Sequence, residues 1–176
     1  YPWKFRATPQ GFWQDQSNHY AYMDWLYELL GFKEIEDWYG VTKEHFHENY
    51  GGGLLANFYG DSPTKLLKMR YPEFNWKIFK FKQTTKKFWA VQENALDYLG
   101  WLYTELGLSS MKDWYGVNNH DYAANYGQGL MLYYFREKKS ISDIIIDHYP
   151  DYDWKKWLFN VIADGWWHEK VNRRGY

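Results

Sequence analysis

Asp37-Trp38-Tyr39-Gly40-Val41 returns 76 residues later as Asp113-Trp114-Tyr115-Gly116-Val117, and that recurrence decides how the whole chain is read. The match continues on both sides. Asn49-Tyr50-Gly51 is answered by Asn125-Tyr126-Gly127, and Gly51-Gly52-Gly53-Leu54-Leu55 by Gly127-Gln128-Gly129-Leu130-Met131. Two extra residues follow in the second copy, so Tyr71-Pro72 and Trp76 meet Tyr149-Pro150 and Trp154 at an offset of 78. Self-similarity at a fixed period marks a repeat architecture, in which each period is one supersecondary unit.

The ends fit the same frame. Trp3-Lys4-Phe5 matches Phe79-Lys80-Phe81 and Trp157-Leu158-Phe159. Trp13, Trp89 and Trp167 each open a unit, with Asn18, Asn94 and Asn172 five residues on. Residues 1–9 therefore read as the tail of a preceding repeat, 10–85 as repeat 1, 86–163 as repeat 2, and 164–176 as the start of a following repeat.

Within a unit the spacing predicts helices. Tyr22, Trp25, Leu26, Leu29 and Leu30 fall on one face of a 3.6-residue period, as do Tyr98, Trp101, Leu102 and Leu106. Gly31 and Gly107 stand where a left-handed C-terminal residue belongs. A second short helix is expected over 33–39 and 109–115. A third is expected after the N-cap types Thr42 and Asn118 or Asn119. A fourth carries Leu54, Leu55, Phe58 and Tyr59, or Leu130, Met131, Tyr134 and Phe135. A fifth starts at Ser62-Pro63 and stops before Tyr71-Pro72. Its partner holds Ile144, Ile145 and Ile146, read as helix rather than strand because a serine cap precedes them and Tyr-Pro follows. The expected fold is all-α: a tandem repeat of about five short helices per ~76-residue unit, stacked solenoid-like, since one such unit is small for a core standing alone.

Composition narrows the classes. Aromatic residues make up 23% of the 176, which excludes a disordered segment. No run of apolar residues is long enough to span a bilayer, so no membrane partner is expected. No signal-peptide pattern opens the stretch. The absence of cysteine removes disulfides, thiolate zinc sites and cysteine nucleophiles, and fits a reducing, intracellular compartment. No cofactor is expected.

Net charge is −1, yet the first repeat is polarised. From residue 20 to 61, eight acids stand against Lys33 and Lys43. From 65 to 87, Lys65, Lys68, Arg70, Lys77, Lys80, Lys82, Lys86 and Lys87 stand against Glu73 alone. That basic run alternates with Tyr71, Phe74, Trp76, Phe79, Phe81 and Phe88, the composition of a nucleic-acid surface; a solvated helix face gives the same pattern. From 136 to 156 the second repeat carries five basic residues and five acids, so the patch belongs to one copy only.

Other candidates are weighed against structural roles. Asp37 and Asp113, beside Trp38-Tyr39 and Trp114-Tyr115, are read first as repeat-signature residues that accept backbone amides, and only then as general bases. Gly51, Gly52 and Gly53 before a helix suit an anion, whose ligands would be free amides, but also suit a tight turn between closely packed helices. The histidines show no metal-ligand spacing and are read as surface or capping groups.

The pattern Asp-Trp-Tyr-x-Val, then Gly-x-Gly-Leu-Leu (Met131 in the second copy), then Tyr-Pro-(Glu/Asp)-x-x-Trp resembles an aromatic-rich tandem repeat of algal, plant and fungal proteins. The resemblance covers nearly the whole chain and implies a helical repeat without any attached activity. The helix, glycine turn, helix order is also similar to helix-turn-helix repeats associated with homing endonucleases, from which this chain departs in lacking an overall basic charge.

The function expected first is a non-enzymatic tandem-repeat module that binds nucleic acid through the basic aromatic stretch. The alternative is a protein-interaction or scaffold repeat. Glycan binding through exposed Trp or Tyr comes third. Expected partners are nucleic acid or another protein, with neighbouring repeats of the same chain.

Overall fold

The computed structural model describes residues 1–5, 8–84 and 87–160. Regular structure among them consists of α-helices and 3-10 turns, with no strand. No helix among them is long and apolar enough to cross a membrane. The chain divides into two compact units, Tyr1–Thr84 and Thr85–Tyr176.

In the first unit, α1 (Gln16–Leu29) starts where the Asp15 carboxylate accepts the Ser17 amide, an N-cap that satisfies a donor the helix leaves open. Gly31, at φ 73°, takes the left-handed conformation just beyond its end. The buried stripe includes His19, Tyr22, Met23 and Leu26, spaced i, i+3, i+4, i+7. This shifts the expected face: Met23 is fully buried, while Leu29 is 51% exposed. The shift has its cause in His19, which starts the stripe one turn earlier. Its Nε2 lies 2.7 Å from the Trp13 carbonyl and its Nδ1 2.7 Å from the Tyr59 hydroxyl. The reading of the histidines as surface or capping groups therefore fails at His19, a core residue with both ring nitrogens satisfied.

The segment expected as a second helix is a 3-10 turn, Ile35–Gly40, starting later than the spacing suggested. Asp37 folds back onto the Lys33 and Glu34 amides (2.6 and 3.0 Å), and Val41 N–H donates to the Trp38 carbonyl. These short-range bonds hold the chain in the tighter i→i+3 winding. Thr42 then caps α2 (Lys43–Glu48), and its amide donates to His45 Nδ1 at 3.0 Å. A glycine turn leads to α3 (Gly52–Tyr59). Ser62 caps α4 (Pro63–Arg70), with proline in the first turn. Helix α3 packs between α2 and α4.

Tyr39 pins the return of the chain. Its hydroxyl accepts the Lys77 amide at 2.9 Å, and its carbonyl accepts the Lys82 amide at 3.1 Å. Trp38, Tyr22 and Phe46 are fully buried. Each such ring removes enough area from water for roughly 4–6 kcal/mol of transfer free energy, an upper bound. Trp3, from the segment that opens the chain, sits among Trp13, Tyr22 and Trp25 with ring centroids 6.4, 5.6 and 5.7 Å away.

The second unit contains α5 (Gln92–Glu105), a 3-10 turn Met111–Gly116, α6 (Asn119–Ala124), α7 (Gln128–Arg136) and α8 (Ile141–His148). These start 76 residues after their first-unit counterparts as far as α7, and 78 after at α8. Individual contacts recur as well. Asn18 Nδ2 donates to the Phe12 carbonyl at 2.7 Å, and Asn94 Nδ2 to the Phe88 carbonyl at 2.8 Å. The Lys155 amide donates to the Tyr115 hydroxyl at 2.8 Å, as Lys77 does to Tyr39. Ile144, Ile145 and Ile146 lie in a helix, because Asp143 returns to the Ser140 amide at 2.7 Å and closes its N-terminus. Trp167 and Asn172 lie outside the described residues.

Candidate functional site

Asp37 and Asp113 are structural acceptors. Asp113 takes the Ser109 and Ser110 amides at 2.7 and 2.8 Å, as Asp37 takes those of Lys33 and Glu34. Backbone hydrogen bonds hold both carboxyls below the usual aspartate range, which suits a permanent anion and not a proton carrier. Trp38 and Trp114 beside them are buried, and Tyr39 and Tyr115 hold the returning chain.

The glycine turn is spent on packing. Gly51 is buried, and its amide donates to the Phe46 carbonyl at 2.8 Å, so it is not free for an anion. A Cβ on Gly51 would stand 2.2 Å from the Tyr22 hydroxyl oxygen. Gly52 faces the His47 imidazole, whose Nε2 lies 2.9 Å from Asp61. Only Gly53 has open space. In the second unit Gly127 approaches the Tyr98 hydroxyl in the same way.

The basic stretch divides by exposure. Lys65, Lys68 and Lys82 are exposed in the first unit, and Lys87 is exposed in the second; Lys77 and Lys80 are half-buried. Lys86 lies outside the described residues. Arg70 pairs with Asp24 at 3.0 Å. Trp76, Phe79, Phe81 and Phe88 are buried and so do not offer faces to bases, while Tyr71 and Phe74 are half-buried. Lys68 borders an open concavity of about 460 Å³ with Phe74 and Trp76.

The first unit contains a second concavity, of about 340 Å³, lined by Asp24, Tyr27, Glu28, Ile35, Trp38 and Tyr71. Asp24, Tyr27 and Glu28 come from one side of α1, at i, i+3 and i+4. Ile35 and Trp38 come from the 3-10 turn, and Tyr71 from the end of α4. Trp38 backs the pocket, with the Tyr27 ring centroid 5.9 Å from its own. Its indole N–H is buried and makes no hydrogen bond of good geometry among the described residues, though it lies near enough to the Tyr71 phenol to favour its ionised form.

Two carboxylates, Asp24 and Glu28, line this pocket. Burial, then the carboxylates of Asp37 and Glu34, push the Tyr27 phenol above its usual range. Burial does the same to Tyr71, opposed by Arg70, whose guanidinium carbon stands 4.9 Å from the Tyr71 ring centroid.

At the same place the second unit keeps the rings and loses the acids. Tyr103 and Tyr149 flank Trp114 at 6.1 and 6.2 Å between ring centroids. Gly100 and Thr104 stand where the first unit has Asp24 and Glu28. Sequence reading counted Asp24 and Glu28 only as charges, placed Tyr71 with the basic run, and missed Tyr27 and Ile35. The signal was available in that difference between copies, two carboxylates one helical turn apart against a glycine and a threonine.

No group of three or more His, Asp or Glu placed to hold a metal ion occurs among the described residues. No protein-family model, curated protein or solved structure matches the chain.

Proposed function

We propose that this chain is a non-enzymatic, tandem-repeat interaction module, part of a solenoid-like array whose units share an aromatic frame and differ in the surface each presents to a partner protein. One observation carries the reading: the same three rings are flanked by Asp24 and Glu28 in one unit and by Gly100 and Thr104 in the other. Residues needed by the frame are present in both; the two carboxylates are particular to the first unit, where Asp24 is shared with Arg70 and Glu28 stands beside the rings. The second unit differs on its own account. Leu132 and Phe135, one turn apart on α7, are 56% and 43% exposed, where the first unit has Ala56 and Tyr59. Surface variation on a constant core is how repeat proteins acquire separate partners.

The test is a binding panel. The chain is immobilised and offered basic peptides, acidic peptides, and single- and double-stranded oligonucleotides across a range of salt. Retention of basic peptides in preference to the other classes is expected; retention of oligonucleotides alone would replace this reading.

Nucleic-acid binding is kept as a second reading because Lys65 and Lys68 are exposed at i and i+3 on α4, with Lys82 exposed further along. With Trp76, Phe79 and Phe81 buried, affinity would come mainly from phosphate contacts. Replacing Lys65, Lys68 and Lys82 by Glu is then expected to abolish it, and its salt dependence to be steep.

A further inference from the structure

The pocket of Asp24, Tyr27, Glu28, Ile35, Trp38 and Tyr71 has a chemistry of its own, and its inference rests on the interaction-module reading above. We propose that it accepts the side-chain ammonium of a lysine from a partner polypeptide.

Three features select that ligand. The first is the wall material. Ring faces attract cations through their quadrupole, most strongly where water is displaced. Tyr27 and Tyr71 are half-buried and border the concavity, with Trp38 behind them. The second is the pair of acceptors. Glu28 makes no ion pair among the described residues. Asp24 has Oδ1 engaged by Arg70 at 3.0 Å, and its side chain remains 58% exposed. The third is a cation that the protein has already placed at the rim. Arg70 lies 4.8 Å from the Tyr20 ring, 4.9 Å from the Tyr71 ring, and in contact with Asp24. A planar guanidinium thus fills the flat site at the edge. The remaining concavity beside Glu28 suits a compact ammonium on a narrow alkyl stem, whose methylenes meet Ile35 and the tyrosine rings.

The carboxylates also decide between forms of that lysine. An ammonium that retains N–H groups donates to Glu28 and Asp24; a trimethylated one has no proton to donate. Unmodified lysine is therefore preferred over trimethyl-lysine. The buried Trp38 N–H has no part in this choice, because Trp114 in the second unit is buried and without a hydrogen bond in the same way.

The probes are Gly/Ser peptides carrying one central lysine, trimethyl-lysine or the uncharged isostere norleucine, titrated calorimetrically into the whole chain. The lysine peptide is expected to bind at least about tenfold more tightly than the norleucine peptide, the scale of a partly desolvated cation–ring contact. Asp24→Asn with Glu28→Gln is expected to remove that preference with only a small change in the thermal melt, since both side chains are exposed and a surface pair such as Asp24–Arg70 contributes at most about 1 kcal/mol. Equal binding of lysine and norleucine peptides overturns the inference. An unchanged preference in the Asp24/Glu28 variant does so too. If longer basic peptides bind and ignore Asp24 and Glu28, the pocket assignment falls while the interaction module stands. If oligonucleotides bind and no basic peptide does, both fall.

Discussion

Gly51 shows how little room one side chain leaves another in this protein. The Tyr22 ring is fully buried, and its hydroxyl donates to the Asn49 carbonyl at 3.0 Å, so it cannot step aside. A methyl group on Gly51 would sit 2.2 Å from that oxygen. Gly51→Ala is therefore expected to destabilise the chain by about 1–3 kcal/mol, the usual cost of overpacking a filled core. Gly53, two residues on, lies within α3, and a Cβ added there would meet nothing within 4 Å. Gly53→Ala is expected to stabilise by about 0.4–1 kcal/mol, because alanine loses less backbone freedom on folding. Urea midpoints of the two variants should move in opposite directions; shifts of the same sign would mean that the turn is not held by Tyr22. The pair also separates two uses of glycine that look identical in the sequence, close approach at one position and simple tolerance at the other.

At the scale of elements, the caps determine where turns begin. Asp37 and Asp113 each close a 3-10 turn, and backbone amides lower both carboxyl pKa values below the ordinary value. A depressed folded-state pKa contributes stability above the unfolded value, about 3.9, and that contribution is lost as pH falls through the folded value. Asp37→Asn is thus expected to lower the urea midpoint near neutrality, and the gap from the parent chain to close as pH is brought below about 3.9. A gap that stays constant with pH would show that the charge plays no part. The helices themselves were legible, because Tyr22–Leu26 spacing, Ser62-Pro63 and Tyr71-Pro72 are local signals acting over a single turn. The winding of 35–40 was not, since a 3-10 turn and a short helix share the same residues and differ only in whether each amide donates to the carbonyl three or four residues back. Nor was the side on which Trp76, Phe79 and Phe81 lie: rings spaced three and two apart fit either an exposed stacking surface or a buried one, and the return of the chain over Tyr39 places them inside. The acid-lined pocket needed three separated segments, α1, the 3-10 turn and the end of α4, brought together before Glu28 and Tyr71 could be seen as neighbours.

Across the whole molecule, phenols and indoles form a large part of the core beside the aliphatic side chains, and this gives it a particular vulnerability. Tyr22, Tyr98 and Tyr122 are all buried, and burial pushes their phenols well above the usual value near 10, as it does for Tyr134. A folded-state pKa above the unfolded one gives stability that is intact below about pH 10 and is lost as pH rises toward the folded value, because the unfolded chain releases protons that the native one must keep. Each such tyrosine steepens that loss by about 1.4 kcal/mol per pH unit. Both units carry these residues, so neither has an alkali-resistant core. Alkaline titration is expected to show a sharp transition above about pH 10, in which tyrosinate absorbance and loss of helical ellipticity rise together. A smooth single titration of all the tyrosines with the helices intact would mean that the buried rings reach water freely. It would also remove the packing argument from which both Gly51 and the aromatic wall of the pocket derive their roles.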